Sequence, residues 1–448
     1  MSKTDKNYLL LVLLHVFIGV LLYYFTFTSK IYGYAIILLG AFFVINSKNK
    51  NNEVLYAAAY IVGSEILLRM TDGNPVYEFS KYGVMIFIFI GVYYNGISKN
   101  AIPYWIFLLL LVPGVLITAF LMSSHFSLRK SISFNISGPV CLGICSLYAY
   151  SRTISLRQLN RILLVIGLPI ISCVVYLTLY TPTIKSLVLG TASNSDLSGG
   201  FGPNQVSTIL GLGMFIFVSR LIYTSKTKLS FVINLIIVLN ISFRGLITFS
   251  RGGMITGMVM IFALIVVTYF RVNKPGRAKM KYIISFVILA FFVTWVYSSD
   301  QTGGLIDKRY ANQDATGKIK EDRFTGRGEL AADEIETFLQ NPIFGVGVAR
   351  NQALRSEETG EIIVSHNELT RMLAEHGSLG ILCLLILFFT PVTLYLDNKY
   401  NTYLPCFIIF WLLTINHAAM RLAAPAFVYS LSLLKIYMDE NQHSLHRK

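Results

Sequence analysis

Long apolar runs follow one another along almost the whole chain, and this succession limits the possible folds more than any other feature. A helix that crosses the hydrocarbon core of a bilayer needs about 20 apolar residues. The chain is 54% hydrophobic and only 14% charged, which is too apolar for a soluble globular domain. About fourteen runs approach the required length, and they lie near residues 8–28, 31–46, 54–70, 82–96, 101–122, 136–150, 158–180, 204–223, 229–249, 252–271, 281–298, 372–396, 403–419 and 424–438. The sequence therefore predicts an all-α polytopic membrane protein with about 12–14 transmembrane helices.

Lysines and arginines are concentrated in short loops on one side of the predicted bundle. If the spans alternate strictly, the basic loops that share this side are those near residues 48–50, 152–161, 220–228 and 271–281. Basic loops mark the cytoplasmic face, so we expect both termini in the cytoplasm and the loops 181–203 and 299–365 on the opposite side. The net charge of +15 is explained in this way, and the expected partner is the lipid bilayer and not nucleic acid.

The loop 299–365 is the only long polar segment of the sequence, and it divides the chain into three parts. We expect a transmembrane bundle over residues 1–298, a periplasmic loop with an amphipathic helix over 299–365, and further transmembrane helices over 366–448.

The cysteine pattern and several missing motifs exclude some classes of protein. All five cysteines lie inside apolar runs, where cysteine packs as a small hydrophobic side chain. No disulfide is expected, and no group of Cys and His residues has the spacing of a metal site. The sequence also lacks a Walker-type glycine loop, an HExxH motif and a GxSxG motif. We therefore disfavour an ATP-driven transporter and a metalloprotease, and expect neither a metal nor another cofactor.

A few basic residues lie on the outer side against the topological rule, and they need another explanation. Arg69 follows Glu65 by four residues on one span, so the two charges are expected to neutralise each other. Arg244 lies at membrane depth, where an arginine is costly and usually marks a site. His417 and Arg421, again four residues apart, are expected either to line a site or to anchor the interface.

The segment Ser250-Arg251-Gly252-Gly253 opens a span on the outer side. Its glycines let another backbone or a ligand approach closely. Exposed N–H groups at a helix N-terminus, together with fixed arginines, are what a phosphate-bearing ligand requires. Upstream, Asn204 is predicted to cap the span that follows Gly202-Pro203.

Residues 325–340 have the period of an amphipathic helix. The apolar stripe, which is expected to face the membrane domain, consists of Ala331, Ile335, Phe338 and Leu339. The opposite face, which is expected to be solvated, consists of Glu329, Asp333, Glu336 and Gln340. Arg327 projects with the apolar stripe, so its guanidinium is expected to point to the membrane domain. Alternatively, its stem only covers apolar surface and its charge pairs with Glu334.

The segment Ser365-His366-Asn367-Glu368 predicts the start of another helix. Serine followed three residues later by glutamate is a capping box, which would place His366 at the first helical position and facing inward. The positive end of a helix disfavours the imidazolium form, so the ring is expected to be neutral and able to accept a proton. No carboxylate is predicted to be placed comparably, which makes His366 the candidate general base. The alternative is a histidine that only packs at the helix start.

Several of these motifs occur in an order and spacing that resemble the O-antigen ligase and polymerase superfamily over roughly residues 200–385. The motifs are Gly202-Pro203-Asn204, Ser250-Arg251-Gly252-Gly253, Thr325-Gly326-Arg327, Asn341-Pro342-Ile343-Phe344-Gly345-Val346-Gly347, His366-Asn367 and Glu375-His376-Gly377-Ser378-Leu379-Gly380. The resemblance implies a multi-pass glycosyltransferase of the bacterial inner membrane, with GT-C-like architecture and a periplasmic active site. It further implies that a glycan moves en bloc from undecaprenyl diphosphate to an acceptor, without nucleotide sugar or metal.

Carried over to this chain, the resemblance implies specific residue roles. Arg251 and Arg327 would hold the donor diphosphate, and His366 would activate the acceptor hydroxyl. Further candidates for the substrate site are Arg244, Asn204, Glu329, Asn367, His417 and Arg421.

The acceptor and one other class of function stay open at this point. The acceptor is the lipid A core in ligases, a second lipid-linked glycan repeat in polymerases, and a protein Ser or Thr in the related O-oligosaccharyltransferases. A polysaccharide flippase or secondary transporter is the alternative from another class. Such transporters are built from inverted repeats and helices broken at the membrane midplane, and the sequence shows neither.

Overall fold

The computed structural model describes residues 3–121, 128–320, 326–359 and 364–437; the side chains of residues 3, 128–129, 327 and 357–359 are outside this description. Within the described ranges the chain forms seventeen α-helices, namely α1 (Lys3–Tyr24), α2 (Thr28–Ser47), α3 (Glu53–Met70), α4 (Phe79–Asn95), α5 (Ile102–Leu121), α6 (Leu128–Ala149), α7 (Leu156–Tyr180), α8 (Pro203–Tyr223), α9 (Lys228–Ile247), α10 (Arg251–Arg271), α11 (Lys274–Gln301), α12 (Leu305–Tyr310), α13 (Arg327–Gln340), α14 (Arg350–Thr359), α15 (Glu368–Asp397), α16 (Leu404–Ile415) and α17 (Ala423–Leu431). A short 3-10 turn at Asp196–Ser198 and two three-residue strands, β1 (Thr153–Ser155) and β2 (Lys435–Tyr437), are the other regular elements of these ranges.

Each apolar run of the sequence coincides with a helix, which confirms the prediction of an all-α polytopic membrane protein. In the described part of the chain, 10 helices are long and apolar enough to cross a membrane. They are α1, α2, α5 to α11 and α15. This number is lower than the predicted range for a physical reason. Helices α4, α16 and α17 have only 17, 12 and 9 residues, and α3 carries the charges of Glu53, Glu65 and Arg69.

The helices fall into two compact units. The first contains residues 1–79, 153–321 and 436–448, and the second contains 80–152 and 322–435. In the first unit α7 packs against α1 and α3, while α8 packs against α9 and α10. In the second unit α15 packs against α5 and α13, while α17 packs against α6 and α16. The predicted polar loop thus contributes α12 to the first unit and α13 and α14 to the second. The three-part division expected from the sequence stays a prediction.

Glycines allow α8 and α10 to pack backbone against backbone. A Cβ atom on Gly253 would lie 2.2 Å from the carbonyl carbon of Ser207, and one on Gly211 would lie 2.1 Å from the carbonyl oxygen of Gly253. A Cβ atom on Gly257, one turn further along α10, would lie 2.5 Å from the carbonyl oxygen of Gly211. Small residues spaced in this way permit close approach of membrane helices. The prediction that the glycines after Arg251 admit another backbone is therefore confirmed at Gly253.

Gly253→Ala should destabilise the protein by about 1–3 kcal/mol, because the added methyl group forces two tightly packed helices apart. The unfolding temperature of the purified protein in detergent measures this loss. The same substitution at Gly328 is the control, since a Cβ atom there meets nothing within 4 Å and helical Gly→Ala changes in open space are neutral or slightly stabilising. Equal unfolding temperatures for the two variants would contradict the close packing.

A break at Gly377 lets a loop dock onto α15. Gly377 has φ 59° and ψ −137° inside an otherwise helical segment, a conformation that only glycine adopts readily. Near the break, the carbonyl oxygens of Ala374 and Glu375 accept hydrogen bonds from the backbone N–H groups of Val346 at 2.9 Å and Gly347 at 3.1 Å. The Asn-Pro-Ile-Phe-Gly-Val-Gly motif and the Glu-His-Gly-Ser-Leu-Gly motif of the sequence therefore fold against each other.

The helix predicted near 325–340 is present as α13, and Ala331 and Phe338 of its predicted apolar stripe are half-buried, but the buried face is rotated away from the other two stripe residues. Glu334 is 1% exposed, whereas Ile335 and Leu339 of the predicted apolar stripe are 43% and 68% exposed. Glu334 faces α15, where the Thr370 hydroxyl donates to its carboxylate at 2.5 Å. A polar partner on another helix, and not the hydrophobic period, decides which face of α13 is buried.

Candidate active site

The start of α10, in the first unit, is held by a chain of polar side chains. Ser250 is the N-cap residue of α10, but its side chain makes no capping hydrogen bond. Instead its hydroxyl donates to Asn204 Oδ1 at 2.8 Å and accepts from the Ser207 hydroxyl at 2.9 Å. The N–H groups of the first turn therefore receive no acceptor from the N-cap side chain, and they form the positive end of a 21-residue helix.

The prediction that Asn204 caps α8 is wrong. Helix α8 begins at Pro203, with Gly202 as its N-cap, because the fixed φ of proline and its missing N–H suit the first helical position. Asn204 is thus already inside the helix. Its amide oxygen serves the neighbouring helix by accepting the hydrogen bond of Ser250.

Two arginines lie at the start of α10. Arg251 is half-buried and donates from Nη1 to the carbonyl oxygen of Arg309 at 3.3 Å. Arg309 in turn donates from Nε to the carbonyl oxygen of Phe249 at 2.8 Å. Sequence patterns do not single out Arg309, because only the short helix α12 carries it back to this position. Its one signal is the Lys308-Arg309 pair inside the polar loop 299–365.

Tyr310 adds a neutral hydroxyl to this cluster. Burial raises the pKa of its phenol to about 12, although the charges of Arg251 and Arg309 act in the opposite direction. The hydroxyl therefore keeps its proton at neutral pH. Its oxygen is buried and has no hydrogen-bond partner among the residues that the structure describes, so it is able to donate to a ligand that reaches the start of α10.

Arg244 is buried and bonded within the first unit. Its Nη1 donates to the Thr181 hydroxyl at 2.8 Å and to the Thr181 carbonyl oxygen at 3.3 Å. Its guanidinium also lies 5.5 Å from the centre of the Phe243 ring. These contacts tie α9 to the end of α7 and favour a structural role. A part for Arg244 in substrate binding stays a prediction.

Arg327 and Glu329 lie in the first turn of α13, in the second unit. Arg327 is the first helical residue, after Gly326 with φ 75°, so the predicted helix start is confirmed to within two residues. The side chain of Arg327 lies outside the described part of the chain, and so do its predicted direction and its alternative pairing with Glu334. Glu329 is exposed, as expected for the polar face.

The segment that carries His366 also belongs to the second unit, and its helix begins later than the capping box predicts. Helix α15 starts at Glu368, and Asn367 is the N-cap, with its Oδ1 accepting from the Leu369 N–H at 2.9 Å. The Ser365 hydroxyl accepts from the Asn367 N–H at 3.2 Å. The predicted position of His366 inside the helix is therefore wrong. His366 precedes the N-cap and is half-buried, since asparagine caps a helix at least as well as serine.

The loop between α16 and α17 holds the backbone around His366. Arg421 Nη2 donates to the carbonyl oxygens of Ser365 at 2.6 Å and Val364 at 3.3 Å. The Ala419 N–H donates to the carbonyl oxygen of His366 at 3.1 Å. The backbone at and before His366 is thus fixed from outside its own loop, as a residue that must meet a substrate in one geometry requires.

The predicted site residues are therefore brought together in two groups. Asn204 and Arg251 lie together in the first unit, and His366, Asn367 and Arg421 lie together in the second. His417 lies two residues before Ala419. Its Nδ1 donates to the Leu413 carbonyl oxygen at 2.8 Å, so in the neutral ring Nε2 is the acceptor nitrogen.

A buried network of charges starts at the same end of α15. Arg371 is 5% exposed, pairs with both carboxylate oxygens of Glu368 and reaches Glu375 at 2.5 Å. Its Nη2 also donates to the carbonyl oxygen of Asn135 at 3.1 Å. Buried charges are tolerated when they are paired and hydrogen-bonded. These contacts compensate the burial of Arg371, and Glu368 is engaged here and not in a capping box.

Glu334 is a carboxylate that the sequence suggests only as an alternative partner of Arg327 and not as part of the site. It is buried against α15, and Arg355 Nη2 lies 3.6 Å from its Oε1. Burial raises the pKa of the Glu334 carboxyl, while hydrogen bonds from Thr370 and Ser365 oppose the shift. A buried carboxylate with a raised pKa, on a helix that packs against α15, is a candidate proton acceptor that competes with His366. The prediction that no carboxylate is comparably placed therefore stays a prediction, to be tested against Glu334.

A comparison with protein families matches a segment of the chain that contains several of these site residues. Residues 235–385 match the family model described as O-antigen ligase, which confirms the resemblance seen in the sequence. The matched segment contains Arg251, Arg327 and His366, while Asn204 and Arg421 lie outside it. No curated protein matches the chain.

Proposed function

We propose that this chain, in which residues 235–385 match the O-antigen ligase family model and ten described helices are long and apolar enough to cross a membrane, moves a glycan en bloc from undecaprenyl diphosphate to an acceptor hydroxyl. In this reaction the bond between the anomeric carbon and the diphosphate breaks, and a bond to the acceptor oxygen forms. The acceptor loses a proton, and undecaprenyl diphosphate leaves with the electron pair.

The start of α10 is the observation that supports this proposal most directly. It offers the first-turn N–H groups of a 21-residue helix without a side-chain cap, together with Arg251, Arg309 and the neutral Tyr310 hydroxyl. Helix N-termini and guanidinium groups both stabilise phosphate oxygens. We assign Arg251 to the diphosphate, and Arg327 to the same task on the strength of the resemblance. Cationic side chains would then supply the charge that a metal supplies elsewhere, so the reaction is expected to proceed without one.

His366 is proposed to take the proton of the acceptor hydroxyl. Its backbone is fixed by Ala419 and Arg421, and its place before the N-cap keeps it at the positive end of α15, which favours the neutral ring. Glu334 is the group against which this role has to be tested. The proposed setting is the bacterial inner membrane, with both termini in the cytoplasm and the reaction on the periplasmic side.

Purified protein in detergent should form glycosylated product from a lipid-linked glycan and an acceptor, with a chelator present. A flippase or secondary transporter would form no covalent product in this assay, so the absence of product with every acceptor class would contradict the proposal.

The surface-glycan profile of a deletion strain then identifies the acceptor. Loss of every chain from the lipid A core indicates a ligase, and persistence of single-repeat chains indicates a polymerase. Intact lipopolysaccharide together with unglycosylated secreted proteins indicates the protein-directed branch.

A further inference from the structure

A pocket lies in the first unit, outside the segment that matches the O-antigen ligase family. It has a volume of about 290 Å³ and is formed by the end of α3, the turn that follows it, and Phe201. This volume has room for about ten water molecules, and therefore for one sugar ring. We propose that the pocket is a subsite for an uncharged or amino-sugar unit of the glycan. This proposal rests on the proposed function for the expectation that a glycan binds, while the residues of the pocket determine the charge class of the sugar unit.

The walls of the pocket are preformed. Asp72 has φ 50° and begins a turn in which the Gly73 N–H donates to the Leu68 carbonyl oxygen at 2.8 Å. A Cβ atom on Gly199, which has φ 69°, would lie 2.5 Å from Met70 Sδ, so the turn before Phe201 packs directly on the end of α3. A site with fixed walls binds without the cost of ordering them.

The charges around the pocket disfavour a phosphate. Arg69 is its one cation among the described residues that line it, and this guanidinium is paired with Glu65 at 3.0 Å and with Glu78 at 3.5 Å. Asp72, on the rim, is exposed. Two carboxylates thus neutralise the guanidinium, and the charged residue that remains in the lining is the acidic Asp72. This wall repels a diphosphate or an acidic sugar and accepts a neutral or amino sugar.

The remaining lining matches the surface of a sugar. Asn74 Oδ1 is buried and has no hydrogen-bond partner among the described residues, so it is an acceptor for a hydroxyl group. The ring of Phe201 lies under the Arg69 guanidinium at 5.9 Å, and Tyr77 is 56% exposed at the rim. Two aromatic faces and an acceptor that lacks a donor suit a ring that carries C–H groups on its faces and hydroxyls on its edge.

The test measures binding of soluble sugars to the full chain in nanodiscs by ligand-observed NMR titration. The probes are chitotetraose and maltotetraose as neutral sugars, with tetragalacturonate and inorganic pyrophosphate as anions. At least one neutral sugar should bind, and Tyr77→Ala and Phe201→Ala should each weaken that binding about fivefold. The exposed Tyr77 is replaceable without disturbing the fold, and Tyr93→Ala, an 83% exposed tyrosine of the second unit, is the matched control.

Three results would overturn the subsite. They are the absence of binding by both neutral sugars, binding that neither pocket variant weakens, and anion binding that the same variants abolish. Because the assay needs no transfer reaction, its outcome is separate from that of the proposed function. Neutral sugar binding through Tyr77 and Phe201 in a protein that makes no glycosylated product would uphold the subsite and contradict the transferase mechanism.

Discussion

His366→Ala is expected to lower the rate of glycan transfer by about 10²–10⁴-fold, which is the usual contribution of a general base. Binding of the lipid-linked donor should be largely unchanged, because the proposed diphosphate contacts come from Arg251 and Arg327. Transfer by the parental protein should also fall as the solution is acidified through the range in which histidines titrate. Turnover and donor binding, measured in parallel on purified protein, check these expectations.

Two further variants separate proton transfer from positioning. His366→Gln keeps a hydrogen-bonding group but has no basic nitrogen, so it should be nearly as slow as His366→Ala. Near-parental transfer by His366→Gln, with an unchanged pH profile, would make His366 a positioning residue. Glu334→Gln removes the competing carboxylate while keeping an acceptor for Thr370. If Glu334→Gln abolishes the fall of the transfer rate at low pH and His366→Gln does not, the general base is Glu334.

Arg251→Ala is expected to slow transfer by one to two decades, since a charge-assisted hydrogen bond contributes about 1.5–3 kcal/mol. Arg251→Lys should restore only part of the rate, because an ammonium group lacks the planar fork that binds two phosphate oxygens at once. Arg327→Ala is expected to have an effect of the same size. Rates are compared at equal amounts of folded protein, with donor binding as the second measurement.

Arg161→Ala is the matched control for this series. Arg161 is an exposed arginine of α7, and its loss changes the net charge by the same amount without touching the proposed site. It should leave transfer unchanged. Near-parental transfer by both Arg251→Ala and Arg327→Ala would rule out the assignment of the diphosphate to these residues.

Local sequence determined the helices of this protein. An apolar run of membrane length becomes a helix whatever packs against it, because the backbone hydrogen bonds must be satisfied within the segment. The starts of α10 at Arg251 and of α13 at Arg327 are also predictable from local sequence, to within a residue or two. The close approach at Gly253 was also visible, since only the absence of a side chain permits it. The i, i+4 pair of Glu65 and Arg69 needs nothing beyond its own helix.

The tertiary structure decided what depends on partners far apart in the sequence. The hydrophobic period does not predict that Glu334 is buried, yet Thr370 and Arg355 contact it, because a carboxylate can be buried wherever other helices supply donors and charge. Asn204 was expected to cap its own helix and instead accepts a hydrogen bond from Ser250. Arg309 reaches the start of α10 only because the short helix α12 brings it there. Such contacts join residues separated by 21 to 60 positions, and no local pattern encodes them. The helices therefore follow from the sequence alone, whereas the polar groups that surround the candidate site follow from how those helices pack.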